Sequence, residues 1–219
     1  MFRESLTNEE VNNLPIIGYQ GEIIVLETGD QKVAERYLSK QKLIGFDTES
    51  RANFTKGTKD SISLVQLSGA EKAFLIRLNK TGLSPGIIKI LQSRKIVKVG
   101  LAIHDDLKKI MEVNDKFFPH NFVDLQSIVK DYGIQELGLK KISGIVLGKR
   151  ISKAQRLSNW NAVKLTEAQQ RYAATDAWIC REIYMKLLNS VKTDVKRSEN
   201  ISQSRIVAMS FCEPRSCHS

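Results

Sequence analysis

Residues 43–49, Leu43-Ile44-Gly45-Phe46-Asp47-Thr48-Glu49, place two acids at the end of a mostly apolar run. The pattern predicts a β-strand, whose side chains alternate between two faces, so Asp47 and Glu49 point to the same side. Two adjacent carboxylates repel each other unless a cation lies between them, and Mg²⁺ binds carboxylate oxygens. Taken alone, this short pattern also fits a strand end exposed to water. Further acids elsewhere in the chain are therefore needed to indicate a metal site.

A second pair of acids, Asp105 and Asp106, lies near the start of a helix predicted from Ile103 to Val113. This helix follows a predicted buried strand that closes at Gly100. Successive residues of a helix point about 100° apart, so only one of the two acids can face a given site. An acid in the first turn of a helix is also favourable for the helix dipole alone. The spacing leaves the choice between the two open.

The last candidates, Tyr172 and Asp176, lie four residues apart on a helix predicted from about Glu167 to Leu188, and therefore on one face. The residues between them are small, which lets the helix approach a sheet closely. An aspartate among apolar neighbours in mid-helix costs free energy unless it has a partner. A metal shared with Asp47 and Glu49 would supply that partner. The alternative is an exposed aspartate beside a tyrosine of the core.

The order of the elements predicts the fold class. A strand and a helix come first, then the acid-bearing strand, and residues 61–67 and 72–78 form a hairpin across the turn at Ser68 and Gly69. Strands then alternate with helices, which favours an α/β fold with a mixed sheet flanked by helices in a single domain. Thr166, followed by Gln169, predicts a capping box at the start of the last helix.

Three segments divide the chain. We predict an irregular N-terminal arm over residues 1–20, the folded domain over residues 21–190, and a flexible tail over residues 191–219. Within the domain, residues 137–160 are predicted to be rich in loops.

The composition limits the class of protein. The 219 residues are 42% hydrophobic and 26% charged, which suffices for one domain with a sizeable core. No run approaches the ~18 apolar residues of a membrane span, and the start does not resemble a secretory signal. We therefore expect a cytoplasmic protein without a membrane partner. A net charge of +10 beside a set of acids favours a polyanionic partner, nucleic acid first.

Basic and aromatic residues in two loops are candidates for holding that partner, because aromatic rings stack on bases and lysines meet phosphates. Each of them also fits a solvated loop. The candidate nucleic-acid contacts in these loops are Phe54, Lys56, Lys59, Lys153, Arg156 and Trp160, and Thr48 of the acid-bearing strand is a further candidate.

Taken together, Asp47-x-Glu49, then Asp106 six residues after Gly100, then Tyr172-x-x-x-Asp176 resemble the three motifs of the DEDDy 3′→5′ exonucleases. The likeness extends over roughly residues 23–188 and is closest to the exonuclease domain of the Werner syndrome protein. Ribonuclease D and the proofreading domain of family A DNA polymerases are less similar in sequence. Supporting stretches are 44–49, 63–68, 157–160 and 165–177. The resemblance implies a ribonuclease H-like fold and places Asp106, not Asp105, at the second motif.

The resemblance also implies a chemistry. Two divalent metal ions, Mg²⁺ or Mn²⁺, would bind the four acids, with Asp47 shared, Glu49 and Asp176 in one site and Asp106 in the second. Tyr172 would orient the attacking water. The substrate would be a nucleic acid with a free 3′ end, DNA in preference to RNA, and the product a nucleoside 5′-monophosphate. The alternatives are an RNA-trimming enzyme resembling ribonuclease D and a catalytically silent nucleic-acid-binding module. Nothing in the sequence indicates the oligomeric state.

Overall fold

The computed structural model describes residues 1–50 and 61–192. The candidates Phe54, Lys56 and Lys59, and the predicted tail from residue 193 onward, lie outside the described residues. The strands are β1 (Glu22–Leu26), β2 (Leu43–Ser50), β3 (Ile62–Ser68), β4 (Lys72–Ile76), β5 (Val97–Gly100) and β6 (Phe122–Asp124). The helices are α1 (Asn8–Asn13), α2 (Lys32–Leu38), α3 (Leu78–Thr81), α4 (Pro85–Leu91), α5 (His104–Val113), α6 (Leu125–Ile128), α7 (Leu139–Leu147) and α8 (Glu167–Leu188).

The six strands form one mixed sheet in the order β1-β4-β3-β2-β5-β6. Strand β3 pairs antiparallel with both β2 and β4, so the predicted hairpin is confirmed. Strands β1 and β4 pair in parallel, as do β2 with β5 and β5 with β6. The acid-bearing strand β2 therefore lies inside the sheet, with a neighbour on each side.

Helices cover both faces of this sheet, which confirms the predicted architecture. On one face, Phe46 of β2 belongs to an apolar cluster that includes Leu107 and Ile110 of α5. On the other face, α8 lies directly across β2, where Ala173 and Ala174 pack with residues of β3 and β4. Strand β2 is thus held between α5 and α8, the two helices that carry the remaining candidate acids.

The long helix α8 has the bounds that its sequence predicts. Thr166 accepts a hydrogen bond from the Gln169 backbone N–H at 3.2 Å, and the Gln169 side chain accepts from the Thr166 backbone N–H at 2.9 Å. This reciprocal capping box fixes the start of the helix, and Leu188 ends it.

Two predicted irregular segments contain helices instead. Residues 8–13 form α1, capped by a second reciprocal pair, Thr7 and Glu10, and residues 139–147 form α7. The two helices support each other, because Val11 is buried and a Cβ atom at Gly144 would lie 3.0 Å from the Leu6 side chain. Such helices depend on tertiary packing, which the periodicity of two short segments does not display. None of the described helices combines the length and the apolar character that a membrane span requires.

Candidate active site

Gly45 determines how closely α8 approaches β2. A Cβ atom at this position would lie 1.8 Å from the carbonyl oxygen of Ala177, a distance that no side chain tolerates. Ala173, Ala174 and Ala177 are all fully buried and keep the surface of the helix flat. The helix backbone therefore rests on the strand backbone, and Asp176 is brought over the end of β2.

Three acids converge there. One carboxylate oxygen from each of Asp47, Glu49 and Asp176 lies within 4.8 Å of the others. Asp47 and Glu49 are half-buried, and Asp176 is 6% exposed. The buried Oδ1 atom of Asp176 has no hydrogen-bond partner among the described residues. An unpartnered oxygen beside two more carboxylates fits a hard divalent cation, which prefers oxygen ligands.

The electrostatics of the three acids point to the same need for a cation. Burial and the neighbouring carboxylates Asp176, Glu49 and Asp106 raise the pKa of Asp47 well above its usual range. The same two causes, burial and nearby charges, raise the pKa of Glu49 to about 8. Burial also raises the pKa of Asp176, while a hydrogen bond with Tyr172 and the charge of Lys153 oppose that shift. Without a cation, the cluster therefore holds protons that an exposed acid would release.

Asp106 approaches the cluster from the opposite face of the sheet. Thr48, between the two acids of β2, points away from them and donates a hydrogen bond from its Oγ1 to Asp106 Oδ1 at 2.6 Å. Asp105 is exposed to solvent. The structure therefore places Asp106, and not its neighbour, next to the acids of β2, and the hydroxyl of Thr48, a candidate nucleic-acid contact, already has a partner within the chain.

Asp124, which the sequence analysis missed, holds the turn before α5. Its carboxylate accepts hydrogen bonds from the backbone N–H groups of Ala102 at 3.0 Å and Ile103 at 3.3 Å. Ala102 has a φ of 53°, a conformation that residues other than glycine seldom adopt. Asp124 also caps α6 through the Gln126 N–H at 2.9 Å. The sequence did carry a signal for this role, because an aspartate at the end of a short strand and directly before a helix is a typical helix cap.

Tyr172 lies one helical turn before Asp176 and is half-buried. Burial and the charges of Asp176 and Glu49 raise the pKa of its phenol far above the ordinary value. Its ring packs against that of Trp160, with centroids 6.0 Å apart. The phenol therefore stays protonated beside the acid cluster, able to donate a hydrogen bond.

The predicted nucleic-acid contacts near Tyr172 divide into two groups. Lys153 and Arg156 are exposed, and the positive charge of Lys153 lowers the pKa of Asp176. Trp160 is only 1% exposed and belongs to the core that packs under α8. Its ring is therefore not available to stack on a base, contrary to the expectation from the sequence; its visible role is to support Tyr172.

A mixed six-stranded sheet flanked by helices, with an acid cluster at the end of its central strand, defines the class of ribonuclease H-like domains. Within that class, a family model described as 3′-5′ exonuclease matches residues 23–192. The chain belongs to this 3′-5′ exonuclease family.

Individual relatives agree with the family assignment. The chain is 30% identical over 190 residues to the bifunctional 3′-5′ exonuclease/ATP-dependent helicase WRN of Mus musculus, covering 81% of this chain and 13% of that protein. It is 28% identical over 185 residues to DNA polymerase I of Aquifex aeolicus, covering 84% of this chain and 30% of the polymerase. The crystal structure of Escherichia coli RNase D superposes with a TM-score of 0.69 at 25% identity, covering 78% of this chain and 45% of that one. The chain thus spans about half the length, or less, of curated relatives that it matches.

Proposed function

We propose that this chain is a divalent-metal-dependent 3′-5′ exonuclease that releases nucleoside 5′-monophosphates from the free 3′ end of a nucleic acid. One observation carries the proposal. Oxygen atoms of Asp47, Glu49 and Asp176 lie within 4.8 Å of one another, and the buried Asp176 Oδ1 has no partner among the described residues. Membership of the exonuclease family gives this cluster its chemistry.

Two cations, Mg²⁺ or Mn²⁺, are proposed for the site. Asp47, Glu49 and Asp176 would hold one of them, and Asp106, fixed by Thr48, would help to hold the second. When bound, such ions activate water toward a phosphodiester and stabilise the charge on the leaving oxygen. The protein contributes the fixed positions of its carboxylates, which α8 and α5 bring to β2 from the two faces of the sheet.

Tyr172 is proposed to orient the attacking water. Its raised pKa excludes it as a base at neutral pH, because a phenol that keeps its proton cannot accept one. A protonated hydroxyl beside Asp176 can instead hold a water molecule by a hydrogen bond. Positioning of this kind contributes to the rate by keeping the reacting atoms in line.

Exposed basic residues next to the site are proposed to bind the strand. Lys153 and Arg156 lie on the loop before Trp160, and Lys153 is close enough to Asp176 to influence its pKa. Phosphates entering the cluster would pass these two side chains. Phe54, Lys56 and Lys59, which follow β2 in the sequence, remain proposed contacts from the sequence alone.

We favour DNA as the substrate, because the relatives include a DNA polymerase and an exonuclease joined to a helicase. RNA is the alternative, since RNase D, described as an exoribonuclease, has the same fold at 25% identity. Sugar discrimination depends on contacts around the terminal nucleotide, including the 2′-hydroxyl. A cytoplasmic location remains a prediction from the composition.

The test is digestion of matched DNA and RNA strands that carry a label at the 5′ end, single-stranded and as recessed duplexes, with Mg²⁺, with Mn²⁺ or with EDTA. We expect a ladder of labelled strands that shortens from the 3′ end, and no reaction in EDTA. Chromatography of the unlabelled small products should show 5′-monophosphates only. Asp106→Ala should lower the rate by a factor of at least about 100, as loss of a charge-stabilising group does. Asp105→Ala is the matched control, an exposed acid on the same turn, and should keep full activity. Metal-dependent binding without release of mononucleotides would indicate the silent binding module instead.

A further inference from the structure

Gln66, in the middle of β3, is a fully buried amide without a visible partner. It is 0% exposed, and neither its Nε2 nor its Oε1 atom makes a hydrogen bond within residues 1–50 and 61–192. Buried polar groups in proteins are nearly always hydrogen-bonded, so an orphaned amide needs a physical reason.

The sheet register supplies one. Gln66 lies directly opposite Asp47 in the antiparallel pair of β3 and β2. Side chains of such a pair project from the same face with Cβ atoms about 4.5–5.5 Å apart. Gly45, two residues before Asp47, faces α8, so both Asp47 and Gln66 point into the layer between the sheet and that helix.

On its other side, Gln66 has an apolar register partner. Its partner on β4 is Leu75, which packs with Ala173 and Ala174 of α8. A leucine or methionine would suit these neighbours better than an amide, which loses its hydration there without compensation. The polar group that the strand register places beside Gln66 is the Asp47 carboxyl, which can accept a hydrogen bond from an amide N–H.

We propose that Gln66 is a positioning residue for the metal site: its Nε2 donates a hydrogen bond to the Asp47 carboxylate when the acid cluster holds a divalent cation. The inference rests on the proposed function, because it requires that the cluster bind metal. It adds a residue that touches neither metal nor substrate. Groups that hydrogen-bond to metal ligands orient them, and their loss typically weakens metal binding by about 10–100-fold.

The experiment compares Gln66→Met with Ser63→Ala in the chain of 219 residues. Ser63 is a matched control, because its hydroxyl is also buried and unpartnered on β3 but does not lie opposite an acid. Calorimetry gives the melting temperature of each metal-free protein, and titration with Mg²⁺ well below that temperature gives the Kd.

We expect both variants to melt at or above the wild-type temperature without metal, because each removes an unsatisfied polar group. Gln66→Met should bind Mg²⁺ about 10-fold more weakly or worse, whereas Ser63→Ala should bind it as the wild type does. The KM for an oligonucleotide should stay the same in Gln66→Met at saturating Mg²⁺.

Three results would overturn the inference. An unchanged Kd for Mg²⁺ in Gln66→Met excludes a positioning role, whatever the stability. A weaker Kd together with a lower metal-free melting temperature assigns Gln66 to packing. Absence of Mg²⁺ binding in the wild type overturns the proposed function and this inference together, whereas either of the first two results refutes only the inference.

Discussion

The Thr48 hydroxyl donates a hydrogen bond to the Asp106 carboxyl at 2.6 Å and so joins strand β2 to helix α5. Because side chains alternate along a strand, the residue between the two acids of β2 points to the other face, where α5 lies. The same strand thus presents Asp47 and Glu49 on one face and secures Asp106 from the other.

Replacing Thr48 by Val should separate this positioning role from a role in binding nucleic acid. Valine keeps the β-branched shape but removes the hydroxyl, and a hydrogen bond to a charged group is worth about 1.5–3 kcal/mol. We expect kcat to fall about 10-fold or more with little change in KM, measured by steady-state hydrolysis. Thr48→Ser keeps a hydroxyl and should retain most of the activity. A rise in KM alone would assign the side chain to substrate contact.

Gly45→Ala should be strongly destabilising. Its Cβ would lie 1.8 Å from the Ala177 carbonyl oxygen, so α8 has to move away from β2. Overpacking of this kind costs about 1–3 kcal/mol or more, which corresponds to a drop in Tm of roughly 2–12 °C or more for a chain of this size. Thermal unfolding followed by circular dichroism measures the change. Gly29→Ala is the control, because within the described part of the chain no atom beyond the two neighbouring residues lies within 4 Å of the added Cβ. This variant should melt within a degree or two of the wild type. Equal melting of both variants would contradict the close packing.

The metal-free protein should lose stability as the pH rises. The pKa of Glu49 is raised to about 8 in the folded chain, and those of Asp47 and Asp176 are also raised. The folded state therefore binds protons more tightly than the unfolded chain, so this contribution is fully present below about pH 4.5 and is lost toward pH 8. Thermal melts from pH 5 to pH 8.5 in EDTA should show the decline, and Mg²⁺ should raise Tm more at pH 8.5 than at pH 5.

Comparison with Glu49→Gln isolates the acid cluster in this experiment. Lys98, which is fully buried, changes stability in the opposite sense, because burial lowers its pKa to about 7 and stability then rises with pH above that value. The difference in Tm between Glu49→Gln and the wild type cancels that effect. We expect the free energy of unfolding of the variant to rise relative to that of the wild type as the pH increases, by at least about 1 kcal/mol at pH 8.5. Parallel pH curves for the two proteins would refute the assigned shift.

Lys153→Ala should weaken substrate binding in a salt-dependent manner. A lysine that contacts one phosphate of a single strand releases about 0.7 of a counterion, so the dependence of binding on salt should become shallower by that amount. Fluorescence anisotropy with a labelled oligonucleotide in Ca²⁺ gives the binding constant at salt concentrations from about 50 to 200 mM. The slope is that of the logarithm of the binding constant against the logarithm of the salt concentration. Lys89→Ala, an exposed lysine on α4 on the opposite face of the sheet, should leave the slope unchanged. An unchanged slope in Lys153→Ala as well would remove Lys153 from the binding surface.

Local sequence signals identified the elements that local interactions stabilise. The capping box of Thr166 and Gln169 and the bounds of α8 followed from residues within a few positions of one another, and the hairpin of β3 and β4 from a turn between two apolar runs. The acids of β2 were readable because alternation alone places Asp47 and Glu49 on one face. Even the choice of Asp106 over Asp105 needed the resemblance to a family, since both fit the start of α5 equally well.

Tertiary structure decided the relationships that depend on register and on contact between distant segments. The sequence determined that α8 is a helix and that Gly45 precedes two acids. Only the packing shows that the missing side chain of Gly45 leaves room for the Ala177 backbone, which brings Asp176 to the cluster. Trp160, an aromatic residue near basic ones, was predicted to contact nucleic acid but is buried. Nothing in the sequence around Gln66 indicates that it lies opposite Asp47 in the sheet. Local energies depend on neighbours along the chain, whereas burial and strand register depend on the summed packing of the whole sheet, which no single segment encodes.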